Sequence, residues 1–340
     1  MQQNTINGKP FAMKLNNRAV FILFFVLLAC LSAFGKKGDI SKILPPKGKM
    51  VENVIYKKTP VGAQLLDVYF PDSTRLGAPR PVVVFIHGGS WMHGSKDEIT
   101  KSYQAKLLKR LLEDGYVVVS INYRLVNDTM TVIYPSPLAD CKDAVKWVKA
   151  NAKGLNFNPE RIAVMGTSAG GHLALMTAYA PDSMADDSRD FGKFSARVKC
   201  VVDIYGPTQM AKMLFPTLTP TAVALMSVIR SAKAIKMRSI LLWSFTGESD
   251  AHPWKRRSKC LYYSPVSYVG TAVPTIIFHG DKDKTVPYAQ TELLEKKMKE
   301  AGKKVEVYKL QGEDHTFPTI TEAATQTICD RLSHFLKENL

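Results

Sequence analysis

Residues 161–180 read RIAVMGTSAGGHLALMTAYA, an apolar run that ends in a glycine-flanked serine and passes directly into a small-residue helical pattern. The run from Arg161 to Met165 does not alternate polar with apolar residues, which suits a strand buried on both faces of a parallel sheet. From His172 to Ala180 apolar residues recur at three and four positions, the period of a helix. Gly166 and Gly170 stand two residues either side of Ser168. A sharp strand-to-helix turn needs small residues there, because its dihedrals are strained and strand and helix approach closely. Context between strand and helix, more than the pattern itself, marks Ser168 as a candidate nucleophile.

Working outward, the same unit recurs. Pro81 to Ile86, Tyr116 to Ile121, Val198 to Ile204, Pro274 to Phe278 and Lys304 to Lys309 are further apolar runs. Helical periodicity over Lys101 to Glu113, Leu138 to Ala150, Tyr288 to Ala301 and Ala323 to Lys337 separates most of them. Strand and helix in alternation predict an α/β fold with a doubly wound, mostly parallel sheet. Val51 to Lys57 and Gln64 to Phe70 read as a strand pair turned at Pro60-Val61-Gly62. No repeat or long linker divides residues 36–340, so one domain is expected. Only the stretch from about 206 to 270 breaks the alternation, with Pro207, Pro216, Pro220, an apolar helical piece over Ala222 to Ile240 and a basic cluster. It reads as a cap insertion over the edge of the sheet where ligands of open α/β sheets bind.

Further candidates lie at strand ends. His87-Gly88-Gly89-Ser90-Trp91 closes the run Pro81 to Ile86, and glycines there let backbone N–H groups converge on a developing oxyanion. Gly89 or Ser90 is one expected donor, and Ala169, next to the serine, is the other. If Ser90 donates, it must do so in a conformation that a residue with a side chain tolerates. His87 reads as a structural brace for the loop. A serine hydroxyl needs a base and an orienting acid, and the chain supplies them in the order Ser, Asp, His: Asp281 and Asp283 in His279-Gly280-Asp281-Lys282-Asp283-Lys284-Thr285-Val286-Pro287, then His315 after Gly312-Glu313-Asp314.

This set resembles the α/β-hydrolase superfamily from about residue 50 to the end, and within it secreted bacterial esterases of the carbohydrate-esterase and feruloyl-esterase-like type. The motifs are HGGSW at 87–91, Asn122-Tyr123-Arg124-Leu125, GTSAGGHLA at 166–174, Tyr205-Gly206-Pro207-Thr208, Ser264-Pro265-Val266-Ser267-Tyr268, HGDKDKTVP at 279–287 and His315. Kynurenine formamidases and hormone-sensitive-lipase-like esterases share much of it. The resemblance implies Ser168 as nucleophile, His315 as base and Asp283 as orienting acid, with Asp281 as the alternative. Many relatives carry a third glycine where this chain has Ser90. The implied activity is ester hydrolysis through an acyl-enzyme, on short acyl groups or acetyl and feruloyl esters of polysaccharides, with no cofactor and no metal. An amide or peptide hydrolase on the same triad, and a non-catalytic binding protein that keeps the fold, are the competing classes.

Composition bounds the rest. With 46% apolar and 22% charged residues among 340, a packed core is expected and disorder is excluded. The 46 Lys and Arg exceed 30 Asp and Glu by 16, yet the basic clusters Lys255 to Lys259 and Lys296 to Lys299 are separate and lack any nucleic-acid-binding pattern. The second, interleaved with Glu292, Glu295 and Glu300, reads as a solvated helix face. Ala19 to Gly35 holds 17 uncharged residues after Lys14 and Arg18, an export signal over residues 1–35 with Met13 as a plausible start. Cleavage at Ala33-Phe34-Gly35, lipidation at Cys30 in Leu27-Leu28-Ala29-Cys30, and a retained anchor are the three readings, and each places the catalytic body outside the cytoplasm. Cys141, Cys200, Cys260 and Cys329 have no metal-ligand spacing and are open to one or two disulfides or to burial as small apolar residues.

Overall fold

The computed structural model describes residues 37–71, 77–185, 191–214, 232–247 and 253–340. The export segment and Cys30 lie outside the described residues. Among the described residues eight strands form one sheet in the order β1-β2-β4-β3-β5-β6-β7-β8. β1 (Lys49–Thr59) and β2 (Gly62–Phe70) make the expected hairpin, and β2 also runs antiparallel to β4 (Val117–Ile121). From β4 onward every pairing is parallel, through β3 (Arg80–Ile86), β5 (Phe157–Thr167), β6 (Cys200–Ile204), β7 (Thr275–Gly280) and β8 (Val305–Leu310). β5 begins earlier than its apolar run, since Phe157 pairs with Arg80 across a register shift that precedes the Val82–Ile162 pair.

The continuous apolar runs are explained by the two sides of the sheet. Val82, Val84 and Ile86 face one core while Val83 and Phe85 face the other; Ile162 and Val164 oppose Ala163 and Met165 in the same way. The first core is closed by α2 (Ser136–Ala150), through Leu138, Val145 and Val148, by α3 (Ala169–Tyr179), and by α7 (Ala289–Glu300), through Leu294 and Met298. The second is closed by α1 (Ser102–Glu113), through Leu107, Leu108 and Leu111, and by α8 (Glu322–Asn339), through Ile328, Leu332 and Phe335. Burying each such aliphatic or aromatic side chain stabilises the fold by about 1.5–3 kcal/mol relative to leaving it in water. The doubly wound α/β architecture expected from the alternation is therefore present, with helices on both faces, as the resemblance to the α/β-hydrolase superfamily also implies.

Between β6 and β7 the insertion contributes α4 (Met210–Leu214), α5 (Ala232–Thr246) and α6 (Pro253–Tyr262). The apolar helix expected over Ala222 to Ile240 falls partly outside the described residues, and its described part continues to Thr246. The Lys255 to Lys259 cluster sits on α6, and Lys255, Arg257 and Lys259 are exposed. On α7, Lys299 pairs with Glu295 at 2.6 Å and Lys296 with Glu300 at 3.9 Å, the solvated face that the interleaved charges predict. Cys141, Cys200, Cys260 and Cys329 are all buried and unbridged, so the apolar reading holds for these four and the disulfide reading does not. Among the described residues no helix is long and apolar enough to cross a membrane.

Candidate active site

Ser168 sits at the junction of β5 and α3 with φ 53 and ψ −120, a backbone conformation that costs free energy in a residue with a side chain. The surroundings hold it there: its N–H donates to the Ile204 carbonyl at 2.8 Å, and its own carbonyl accepts the His172 N–H at 3.1 Å. Glycines make the turn sterically feasible. A Cβ on Gly166 would lie 2.1 Å from the Gly170 carbonyl oxygen, and one on Gly170 would lie 2.1 Å from that of Ile86. Strand β3 thus presses directly on the first turn of α3 and brings the loop at 87–91 beside Ser168. A Cβ on Gly88 would be 3.3 Å from that of Ser168.

The loops after β7 and β8 supply the other two groups. His315 Nε2 lies 2.9 Å from Ser168 Oγ, and His315 Nδ1 lies 2.7 Å from Asp283 Oδ2. An ionised carboxylate can only accept, so Nδ1 carries the proton and Nε2 accepts from the serine hydroxyl. Asp283 Oδ1 accepts the N–H groups of Thr285 at 2.8 Å and Val286 at 2.7 Å. Burial alone would push the Asp283 carboxyl up, but hydrogen bonds from His279 and His315 outweigh it and hold the group well below the usual carboxylate range. Asp281 faces elsewhere, accepting the Gly312 N–H at 2.7 Å and so pinning one loop to the other. Asp314 adds a second pin, accepting the N–H groups of Lys284 and His315 at 2.9 and 2.7 Å.

Gly89, with φ 108, lies outside the left-handed region open to other residues, and a Cβ there would meet the His93 carbonyl oxygen at 2.1 Å. Ser90 follows at φ 55, inside that region, so the condition set on a non-glycine residue here is met. The Gly89 carbonyl accepts from both Met92 and His93, tightening the loop beside Ala169, the first residue of α3. His87 braces it as expected: buried, stacked on Tyr123 at 4.3 Å, with Nδ1 donating to the Gly88 carbonyl at 2.7 Å.

Two histidines that sequence reasoning quoted but left without a role also belong to the site. His172, one turn after Ser168, accepts the Trp91 indole N–H on Nδ1 at 3.3 Å and donates from Nε2 to the Tyr263 carbonyl at 2.8 Å. It links the loop at 87–91 to the insertion, inside a cluster with Tyr134 and Phe245. His279, the last residue but one of β7, touches Asp283. Both lie inside motifs legible in the chain, whereas Tyr134, Phe245 and Tyr263 carry no local signal because their neighbours come from distant segments. Among the described residues no group of three or more His, Cys, Asp or Glu is arranged to hold a metal ion.

Residues 66–298 match the BD-FAE family model. Esterase LipC of Mycobacterium tuberculosis is 29% identical over 292 residues, which take in 84% of this chain and 64% of LipC. The chain spans 13% to 64% of the length of curated relatives that it matches. In structure it is similar to an esterase of Thermogutta terrifontis bound to propionate, with a TM-score of 0.65, 24% identity and coverage of 86% of this chain and 94% of that one. A carbohydrate esterase from gut microbiota gives a TM-score of 0.67 at 22% identity, covering 88% of this chain and 100% of that one. At such identities the two likenesses speak for the fold.

Proposed function

The chain belongs to the BD-FAE family, and on that premise we propose that it is a carboxylic ester hydrolase in which Ser168 is the nucleophile, His315 the base and Asp283 the acid that orients it. The observation that carries the reading is the relay of 2.9 Å from Ser168 Oγ to His315 Nε2 and 2.7 Å from His315 Nδ1 to Asp283 Oδ2. His315 takes the hydroxyl proton as Ser168 Oγ bonds to the ester carbonyl carbon. The oxyanion that forms is met by the N–H of Ala169 and by that of Gly89 or Ser90. His315 then gives its proton to the leaving alcohol as the carbon–oxygen bond breaks, leaving an acyl-enzyme that water cleaves by the same route.

For substrate, the proposal is a short acyl ester or an acetyl or feruloyl ester on a polysaccharide. Supporting it are the propionate-bound and carbohydrate-esterase neighbours and the rings of Trp91, Tyr134 and Phe245, all buried, that fill the space between the oxyanion loop and the insertion. Export through residues 1–35, with Cys30 as the alternative point of lipidation, belongs to the same proposal and is read out by cell fractionation of wild type and Cys30→Ser.

The test is a chain-length series of p-nitrophenyl esters beside acetylated and feruloylated xylan. Acetyl and butyryl esters are expected to turn over far faster than acyl chains of about ten carbons, although each buried methylene could add roughly 0.8 kcal/mol of binding. Ser168→Ala is expected to lose several orders of magnitude in rate with an unchanged fold by circular dichroism. Wild-type turnover in that variant would remove the nucleophile assignment, and a preference for long chains would replace the polysaccharide reading with a lipase-like one.

A further inference from the structure

His279 is fully buried at the end of β7, and its three polar contacts fix its hydrogen. Nε2 lies 3.1 Å from Asp283 Oδ2 and 2.9 Å from the Val286 carbonyl oxygen, both of which only accept, so Nε2 carries a proton. Nδ1 lies 2.7 Å from Thr291 Oγ1, a hydroxyl with a hydrogen to donate. A hydrogen on Nε2 therefore satisfies both of its acceptors, and the ring stands as a donor aimed at the carboxylate.

Around Asp283 the contacts complete a cage. Oδ1 is occupied by two backbone N–H groups, and Oδ2 lies between the imidazoles of His315 and His279. The backbone donors anchor one oxygen, but a carboxylate held at one oxygen can still turn about its Cβ–Cγ bond. His279 is the second donor on the oxygen that faces His315. The ionisable groups facing His279 are Asp283 and His315 in the loops, Asp203 on the neighbouring strand β6, and Tyr288, whose ring meets it edge-on at 5.5 Å just before α7.

Resting on the esterase reading, we infer that His279 is a positioning residue of the reaction, which locks the Asp283 carboxylate in the rotation that presents Oδ2 to His315. Positioning and mere packing by His279 give different kinetics. In His279→Leu, which has no donor, kcat for p-nitrophenyl acetate is expected to fall about 10- to 100-fold with KM changed less than about 3-fold. The acid limb of kcat/KM should move to higher pH, because an Asp283 relieved of one donor attracts the His315 imidazolium more strongly. His279→Gln, whose Nε2 can reach the same oxygen, should regain most of the loss. Combined with Asp283→Asn, His279→Leu should cost about 2-fold or less, since its route to the reaction has already been removed. Should the Leu variant fail to fold, His279→Asn, polar but too short to reach Asp283, replaces it in the same cycle.

Wild-type kcat in His279→Leu or His279→Asn, or an equal fold loss with and without Asp283→Asn, overturns the inference while leaving the triad in place. If Asp283→Asn and Ser168→Ala themselves keep wild-type activity, the esterase reading falls, and this inference with it.

Discussion

Two carboxylates two residues apart have different tasks because only one of them reaches an imidazole. Asp283 holds His315 Nδ1–H at 2.7 Å, while Asp281 accepts a backbone N–H from Gly312. An amide can still accept that backbone hydrogen, so Asp281→Asn is expected to keep the rate of ester hydrolysis within about 3-fold, as surface hydrogen-bond changes generally do. Asp283→Asn instead favours the wrong imidazole tautomer, and kcat should fall by about 10³ to 10⁴. Steady-state kinetics of the two purified variants make the check. Equal losses would mean that the loop, and not one carboxylate, sets the rate.

At the scale of an element, the contact between β3 and α3 fixes the turn that carries Ser168. Gly170 lets the helix start against the Ile86 carbonyl, and an added Cβ would lie 2.1 Å from that backbone oxygen, which has no freedom to rotate away. Gly170→Ala is therefore expected to lower the unfolding free energy by about 3 kcal/mol, through overpacking between two rigid segments, and to lower activity with it. Gly154, in the short helix Ala152–Leu155, has nothing within 4 Å of its Cβ position. Gly154→Ala should raise stability by about 0.5–1 kcal/mol, the helix-propensity difference, with activity unchanged. Urea unfolding of both variants distinguishes crowding from glycine content as the cause. The insertion is a second such element: Phe245 on α5 meets Trp91 at 5.3 Å and Tyr134 at 4.3 Å, so the insertion is packed onto the loop at 87–91 by rings rather than by the exposed charges of α6.

Over the whole molecule, buried titrating groups couple stability to pH. Burial lowers His87 and His172 to about 4, each only partly offset by a hydrogen bond to a backbone carbonyl. Both are neutral in the native chain and charge on unfolding below their ordinary value of about 6.5, so stability drops as pH falls from about 6.5 to about 4. Asp203 works the other way. Burial pushes it up to about 7 against the nearby His279 and the Gly206 N–H, so the native chain holds a proton that the unfolded chain releases down to about 3.9. Its contribution is full at low pH and is lost as pH rises through about 7. Asp203→Asn removes that opposing contribution, and its loss of stability between pH 6.5 and 4 should be steeper than that of wild type in urea unfolding at a series of pH values. Parallel curves would show that Asp203 is ionised in the native protein.

Much of this was legible in the chain because it is written locally. Apolar runs and helical periods decided the doubly wound sheet, the glycines about Ser168 decided the turn, and strand-end positions offered His315 and the pair Asp281 and Asp283. Each of these signals fits within about twenty residues, the range over which backbone sterics and side-chain period act. What the tertiary structure alone decided depends on segments far apart in sequence. Ser168 meets His315 across 147 residues, and Asp283 rather than Asp281 faces that imidazole because two loops 32 residues apart are pinned together through Asp281 and Asp314. The left-handed φ of Ser90, the burial of four unbridged cysteines and the roles of His172 and His279 arise in the same way. Burial and hydrogen-bond partner are properties of whichever surfaces the fold brings together, and no local pattern encodes them.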